Sequence, residues 1–311
     1  MKIIKDKFNF TVVRLNPGIR LRRESFGGLV FDTRNGNILE VDKSTFLFLN
    51  LIKDRVLRIN DLVIFLTQNN IIKKPDESID KTLQKLLELE IIQETDESPS
   101  SPVSITNNPN QNNYKPWLSA PETVHWAVTY RCNENCPDCY VQRLSFSKNE
   151  LDTREALKLI DKIAHWGVFQ LALGGGEPFT REDLPQLVSH AANQKLAVHI
   201  TTGMRRINHR LLESVIPFIK NLQFGIRPDD LLSPNSTESI QHLFAVVQGL
   251  GIKPGANLFL TGSVIEQLEN IIKILSNLGF NRIILLRYKP PDNIQRWKSE
   301  KPDSGQTKKL H

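Results

Sequence analysis

From Thr123 to Tyr288 the apolar and polar positions fall into two patterns that take turns along the chain. Apolar runs of strand length, "TVHWAVTY", "FQLALGG", "LAVHITT", "NLQFGI", "GANLFLT" and "RIILLRY", are separated by helical patterns near 153–166, 183–194, 208–220, 236–250 and 264–278. Gly167 and Gly279 mark helix ends. Strict alternation of this kind predicts an α/β fold with a parallel sheet covered on its outer face. Such a sheet is either open and doubly wound or curved into a barrel, and in both cases ligands gather at the C-terminal ends of the strands.

Ahead of this region the order is different. "TVVRL" and "LVFD" read as strands, and "TRNGNILEV" places Asn35-Gly36 between apolar runs, a strong hairpin signal. Three helical patterns follow: "DKSTFLFLNLIKD" opened by Asp42, "INDLVIFLTQ", and "DESIDKTLQKLLELEI" opened by Asp76 or Ser78. Strands and then three helices predict a winged-helix-like α+β domain over residues 1–93. Residues 94–117, "ETDESPSSPVSITNNPNQNNYKPW", are rich in Ser, Pro, Asn and Gln and cannot bury enough surface to offset their ordering entropy, so they read as a flexible linker. The alternating domain takes residues 118–311.

Composition adds little to fold and more to location. A chain of 311 residues with 40% hydrophobic content suits two domains, and a formal charge of +6 favours no class of partner strongly. The opening "MKIIKDKFNF" lacks a signal-peptide core, and no apolar run approaches the roughly 20 residues that cross a bilayer, so a cytoplasmic protein with no membrane attachment is expected. The helices of the first domain offer few Lys or Arg in recognition-helix order, which argues against DNA.

All three cysteines fall within "RCNENCPDCY", at Cys132, Cys136 and Cys139, directly after the first strand of the series. Three thiolates spaced C-x3-C-x2-C can hold three irons of a [4Fe–4S] cube and leave the fourth iron open. Zinc would need a fourth ligand, and the nearest, His125, lies on the preceding strand. The second strand ends in "LALGGGEPFT", where Gly174, Gly175 and Gly176 suit the close approach of another backbone or of a ligand. Arg227 and Arg287 close the fourth and sixth strands, either in surface ion pairs or as clamps on a carboxylate.

The cysteine motif after a first strand, followed by "GGEP" after a second, resembles the radical S-adenosylmethionine (SAM) superfamily over about residues 120–290. The resemblance implies a partial (β/α)6 barrel with a [4Fe–4S] cluster and SAM as cofactors. It implies that Cys132, Cys136 and Cys139 hold the cluster and that Gly174, Gly175, Gly176, Glu177 and Pro178 lie along the methionyl amino group. Tyr140, just after the last cysteine, is common in the peptide-modifying branch, although Asp138 stands where the family often has an aromatic residue. By position, Thr201 and Thr202 on the third strand and Asn257 to Thr261 on the fifth would approach ribose and adenine. Arg227 would meet a carboxylate of SAM, and Arg287 one of the substrate. In the family, an electron from the reduced cluster cleaves SAM to methionine and a 5′-deoxyadenosyl radical, which takes a hydrogen atom from substrate.

Residues 1–93, with "PGIRLR", "FGGLVFD" and "LLELEII", resemble the peptide-recognition element of ribosomal-peptide biosynthesis, first known from pyrroloquinoline quinone biosynthesis. This implies that a precursor's leader peptide adds as a strand beside the hairpin and against the third helix, with Ile79, Leu83, Leu86 and Leu87 as groove residues. Together the two resemblances imply a precursor-peptide maturase that needs an electron donor. No cysteine follows Cys139, so cysteines of this chain would hold no auxiliary cluster and offer no thiol to return a hydrogen atom, which disfavours epimerisation. The layout is similar to tyramine-excising spliceases, which cleave carbon–carbon bonds and work with a small accessory protein. Alternatives are a crosslinking maturase whose auxiliary cluster comes from a partner, a radical SAM enzyme acting on RNA or a small metabolite, and a noncatalytic iron–sulfur protein.

Overall fold

In the computed structural model, which describes residues 8, 11–72, 77–100, 117–133, 136, 139, 150–203, 209–227, 231, 234–252, 254–280, 282–287 and 294–308, the chain divides into two units, residues 1–121 and 122–311.

The first unit runs β1 (Val12–Leu15), β2 (Ile19–Glu24), β3 (Gly27–Asp32), β4 (Ile38–Asp42), α1 (Lys43–Leu51), β5 (Leu57–Arg58), α2 (Ile59–Gln68), α3 (Glu77–Glu88) and β6 (Ile92–Glu94). Its strands form two antiparallel sheets, β5-β1-β6 and the meander β2-β3-β4. The expected hairpin joins β3 to β4: Gly36 N donates to Asp32 O at 2.8 Å, and Gly36 takes φ 80°, a conformation open to glycine. Asp42 caps α1 as expected, accepting from Thr45 N at 2.8 Å and from Ser44 Oγ at 2.6 Å. Asp76, one of the two residues expected to open α3, lies outside the described residues; Ser78 falls inside the helix. Val13, Leu49, Ile52, Ile59, Leu62, Leu66 and Ile92 pack into one core.

Two boundaries differ from the expectation. The third helix stops at Glu88 because Glu90 turns to φ 51°, and Ile92 enters a strand opposite Leu15. Residues 94–100, assigned to the linker by composition, are hydrogen-bonded to the unit. Thr95 N donates to Val12 O at 3.0 Å and Ser100 N to Val56 O at 2.7 Å. At the other end, Ser119 donates from N and Oγ to buried Glu24 at 2.8 and 3.0 Å. Arg22 ties that carboxylate at 2.7 Å and reaches Pro121 O at 3.0 Å. A composition break reports missing apolar side chains, whereas these anchors use backbone and short polar groups. Residues 101–116 lie outside the described residues.

The second unit contains β7 (Thr123–Thr129), α4 (Thr153–His165), β8 (Gln170–Gly175), α5 (Leu184–Asn193), β9 (Ala197–Thr202), α6 (His209–Val215), β10 (Ile219–Ile226), α7 (Pro234–Gly249), β11 (Gly255–Leu260), α8 (Gly262–Glu266), α9 (Leu268–Asn277), β12 (Ile283–Arg287), α10 (Ile294–Glu300) and α11 (Ser304–Lys308). All six strands are parallel in the order β12-β11-β10-β9-β8-β7, the arrangement of a partial (β/α)6 barrel. Pro217 ends the helix expected over 208–220, since a proline has no N–H for the ladder; a 3-10 turn follows over Ile216–Phe218 and β10 starts at Ile219.

Register separates the two faces of this sheet. Val124, Leu171 and Val198 lie level with one another, as do Phe224 and Ala256, and this face packs against the helices in one apolar core. The other face carries His125, Ala172, His199 and Asn221 in one row and Ala127, Gly174, Thr201, Gln223 and Gly255 in the next. Small and polar side chains there leave room and hydrogen-bonding capacity.

Candidate cofactor site

The cysteine loop leaves β7 through a register shift between Ala127 and Thr129, a bulge that ends the strand. Cys132, Cys136 and Cys139 are each partly buried and none forms a disulfide; Cys139 N donates to Cys136 O at 3.1 Å, a tight turn between the last two. The end of β8 is stitched to the start of this loop. Gly176 N donates to Thr129 O and Glu177 N to Arg131 O, both at 2.8 Å. A Cβ at Gly175, where φ is 107°, would stand 2.4 Å from Thr129 O, and one at Gly176 2.2 Å from Arg131 O. These two glycines therefore admit a neighbouring backbone. Gly174 differs: among the described residues a Cβ there would meet nothing within 4 Å. Pro178 opens a 3-10 turn over Pro178–Thr180 that turns the chain away from the site.

Glu177 is 1% exposed and its carboxylate is already engaged. Thr202 Oγ1 lies 3.0 Å from each of its oxygens, Gly203 N donates at 3.0 Å and Phe179 N at 3.1 Å. Glu177 and Thr202 thus tie the ends of β8 and β9 together. Thr201 points the other way and is exposed, level with Gln223. Thr261 is also spent locally: it caps α8, accepting from Val264 N at 3.3 Å. Asn257 is 8% exposed with Oδ1 lacking a protein partner, and Gln223, at 5%, lacks one for both amide atoms. Buried amides of this kind call for a bound ligand or water. Arg227 follows β10 and is half-buried, while Arg287 is exposed on β12, the edge strand farthest from β7 in sheet order. Tyr140 lies outside the described residues.

Two histidines, His125 and His199, lie in one row of this face. His199 Nε2 is 2.9 Å from Gln170 Oε1, and burial, followed by the charges of Arg282 and His125, lowers its pKa from 6.5 to about 4. The ring is neutral near pH 7. An unfolded histidine takes its proton near 6.5, so the unfolded state gains a proton that the folded state refuses as pH falls toward 4. Stability from this group is complete above the unfolded value and is lost below it, by up to about 2 kcal/mol between pH 7 and pH 5. Urea unfolding at those two pH values should show that fall, and His199→Gln should flatten it.

The loop fits an iron–sulfur cube better than a single ion. The thiolates of a cube each hold a different iron, so three cysteines suffice and one iron stays open, whereas a single zinc would need a fourth ligand. The space at Gly174 among the described residues and the unpartnered Oδ1 of Asn257 suit a polar ligand beside the cube. Sequence reasoning missed two residues at the base of the loop. Glu150 accepts from Thr129 Oγ1 at 3.0 Å and from Tyr130 N at 2.7 Å. Arg181, 4% exposed, donates to Val128 O and Leu151 O at 2.8 and 3.0 Å and is paired with Asp183 at 2.6 Å. Nothing local in the sequence signals their contacts with the loop stems, because Tyr130 lies 20 residues from Glu150 and Val128 53 from Arg181.

Comparison with known proteins agrees with this geometry. Residues 126–226 match the model of the Radical SAM superfamily. The chain is 36% identical over 91 residues to the mycofactocin maturase MftC of Mycobacterium ulcerans, covering 29% of this chain and 25% of that protein. It is 36% identical over 169 residues to the Fe-coproporphyrin III synthase of Methanosarcina barkeri, covering 51% and 42%. The chain thus spans less than half the length of these curated relatives. In fold it is similar to Streptococcus suis SuiB, solved bound to the precursor peptide SuiA, with a TM-score of 0.63 and 18% identity over 89% of this chain and 63% of that one. That share is more than the second unit alone can supply, so the likeness extends into the first. The chain carries a radical SAM domain, with a [4Fe–4S] cluster and SAM as its cofactors.

Proposed function

We propose that this chain is a radical SAM maturase that modifies a ribosomally made precursor peptide, with its first unit reading the leader. One observation carries the leader reading. The first unit holds a groove of about 630 Å³ walled by Phe48, Val63, Leu66, Ile72, Ile79, Leu83 and Leu86 and rimmed by Asp42, Ser44, Thr45, Ser78 and Thr82. Asp42 is the last residue of β4, which among the described residues pairs on one side only, so a peptide could add to that edge and drop apolar side chains into the groove. Of the expected groove residues, Ile79, Leu83 and Leu86 line it, while Leu87 packs against the core. Support also comes from MftC, by name a maturase, and from SuiB, solved with its precursor peptide. Ile79→Asp should weaken leader binding about tenfold or more, since a charge replaces buried apolar surface, and leave peptide-free SAM cleavage unchanged. Titration calorimetry with a leader peptide checks it, and unchanged affinity would move the leader elsewhere.

Within the second unit, Cys132, Cys136 and Cys139 are assigned to the cluster, and Gly174, Asn257 and Arg227 to SAM. When bound and reduced by an electron donor, cluster and SAM together supply a 5′-deoxyadenosyl radical that takes a hydrogen atom from substrate. The chain's own task is placement. The Gly175–Glu177 segment fixes the loop against β8, the Glu177–Thr202 lock holds β8 to β9, and the polar face orients substrate near the thiol loop. For the bond changed, we infer tyramine excision with a small accessory protein, on the similarity of layout to the tyramine-excising spliceases and not on any one residue. Mass spectrometry of the coexpressed precursor decides this: loss of tyramine supports excision, an unchanged mass with D-residues supports epimerisation, and loss of two hydrogens a crosslink. The long match to Fe-coproporphyrin III synthase favours a second reading, a small-metabolite substrate; a precursor peptide left unmodified by the reconstituted enzyme would support it.

A further inference from the structure

The cysteine loop has two stems, Val128–Arg131 going out and Glu150–Leu151 coming back, and two side chains span both. From the return stem, the Glu150 carboxylate accepts from Thr129 Oγ1 at 3.0 Å and Tyr130 N at 2.7 Å, with Arg131 Nε 3.8 Å away. From beneath, Arg181 donates one arm to Val128 O on the outgoing stem and another to Leu151 O on the return stem, at 2.8 and 3.0 Å. Asp183 aims the guanidinium, with Oδ1 2.6 Å from Nε and Oδ2 3.0 Å from Nη2, and Thr153 at the start of α4 steadies Asp183 at 2.7 Å. Every one of these contacts lies outside the cysteines. We propose that Glu150 and Arg181 are positioning residues, a clasp that ties the two stems of the cysteine loop together and so favours the binding of a cluster by its thiols. The proposal rests on the reading of this loop as the cluster site. Its physical content is entropic: with both stems fixed, less chain freedom is lost when three thiolates are held at once, and less is regained when they let go.

Iron transfer from the reconstituted full-length chain to a strong chelator tests the clasp without a peptide substrate. Loss of two charge-assisted hydrogen bonds in Glu150→Ala should speed iron release roughly tenfold or more, while Glu150→Gln, which keeps one acceptor and adds a donor, should stay within about threefold of wild type. Arg181→Lys, unable to reach both carbonyls while paired with Asp183, should behave like Glu150→Ala. The electron paramagnetic resonance spectrum of the reduced cluster should change in the fast-releasing variants and stay native in Glu150→Gln. Thermal unfolding should remain close to wild type for Glu150→Ala. Wild-type release rates in both Glu150→Ala and Arg181→Lys would overturn the clasp alone. A fall in thermal stability that tracks the release rate would also overturn it, by assigning the two residues to the barrel. A wild-type chain that takes up no cluster would overturn the cluster reading itself, and the clasp with it.

Discussion

Replacement of Cys132, Cys136 and Cys139 together by alanine should leave a folded, colourless protein that binds no stoichiometric iron and forms no 5′-deoxyadenosine. Each thiol is partly buried and, among the described residues, none of the three cysteines belongs to either apolar core, so truncation removes little packing, about 1 kcal/mol or less per site. Visible absorbance, iron analysis and thermal unfolding of anaerobically reconstituted protein measure all three parts. Stoichiometric cluster absorbance in the triple variant would remove the cysteines from the site. A collapse of the fold would instead make them structural.

The barrel was legible because its signals are local. Each of the six apolar runs became a strand within a few residues, and the cysteine and glycine motifs lie within single connections after β7 and β8. What sequence could not show depends on partners far along the chain. β6 is three residues paired with β1 about 80 positions earlier, and no composition rule reads so short a strand across such a separation. Glu24 holding Ser119, and Arg181 holding Val128, are invisible for the same reason. The site residues divide along this line. The cysteine and glycine motifs are read from local spacing, whereas the hydrogen bonds of Glu177 to Thr202 and of Thr261 to Val264 N appear only in the folded chain.

The bond from Thr202 changes what Glu177 is expected to do. As a direct ligand of SAM, its loss would weaken SAM binding and leave the fold alone. As the lock between β8 and β9, its loss strands the Thr202 hydroxyl and the N–H groups of Gly203 and Phe179, two of these residues being buried. Hydrogen bonds to a charged acceptor contribute about 1.5–3 kcal/mol each, and orphaned buried donors cost more than exposed ones. Solvent reaching Gly203 offsets part of this, so Glu177→Ala should destabilise the second unit by about 2–4 kcal/mol and lower its Tm by roughly 5–15 °C. Glu177→Gln keeps an acceptor for Thr202 but sets an amide N–H against one of the backbone donors, and should fall between the two. SAM affinity, measured by equilibrium dialysis below the lowered Tm, should drop in step with stability across the alanine and glutamine variants, because the strand ends that shape the site drift together. Thr202→Val should reproduce a milder form of the same coupled loss without touching the carboxylate. Unchanged unfolding in Glu177→Ala beside a lost SAM affinity would return Glu177 to the cofactor as a direct contact.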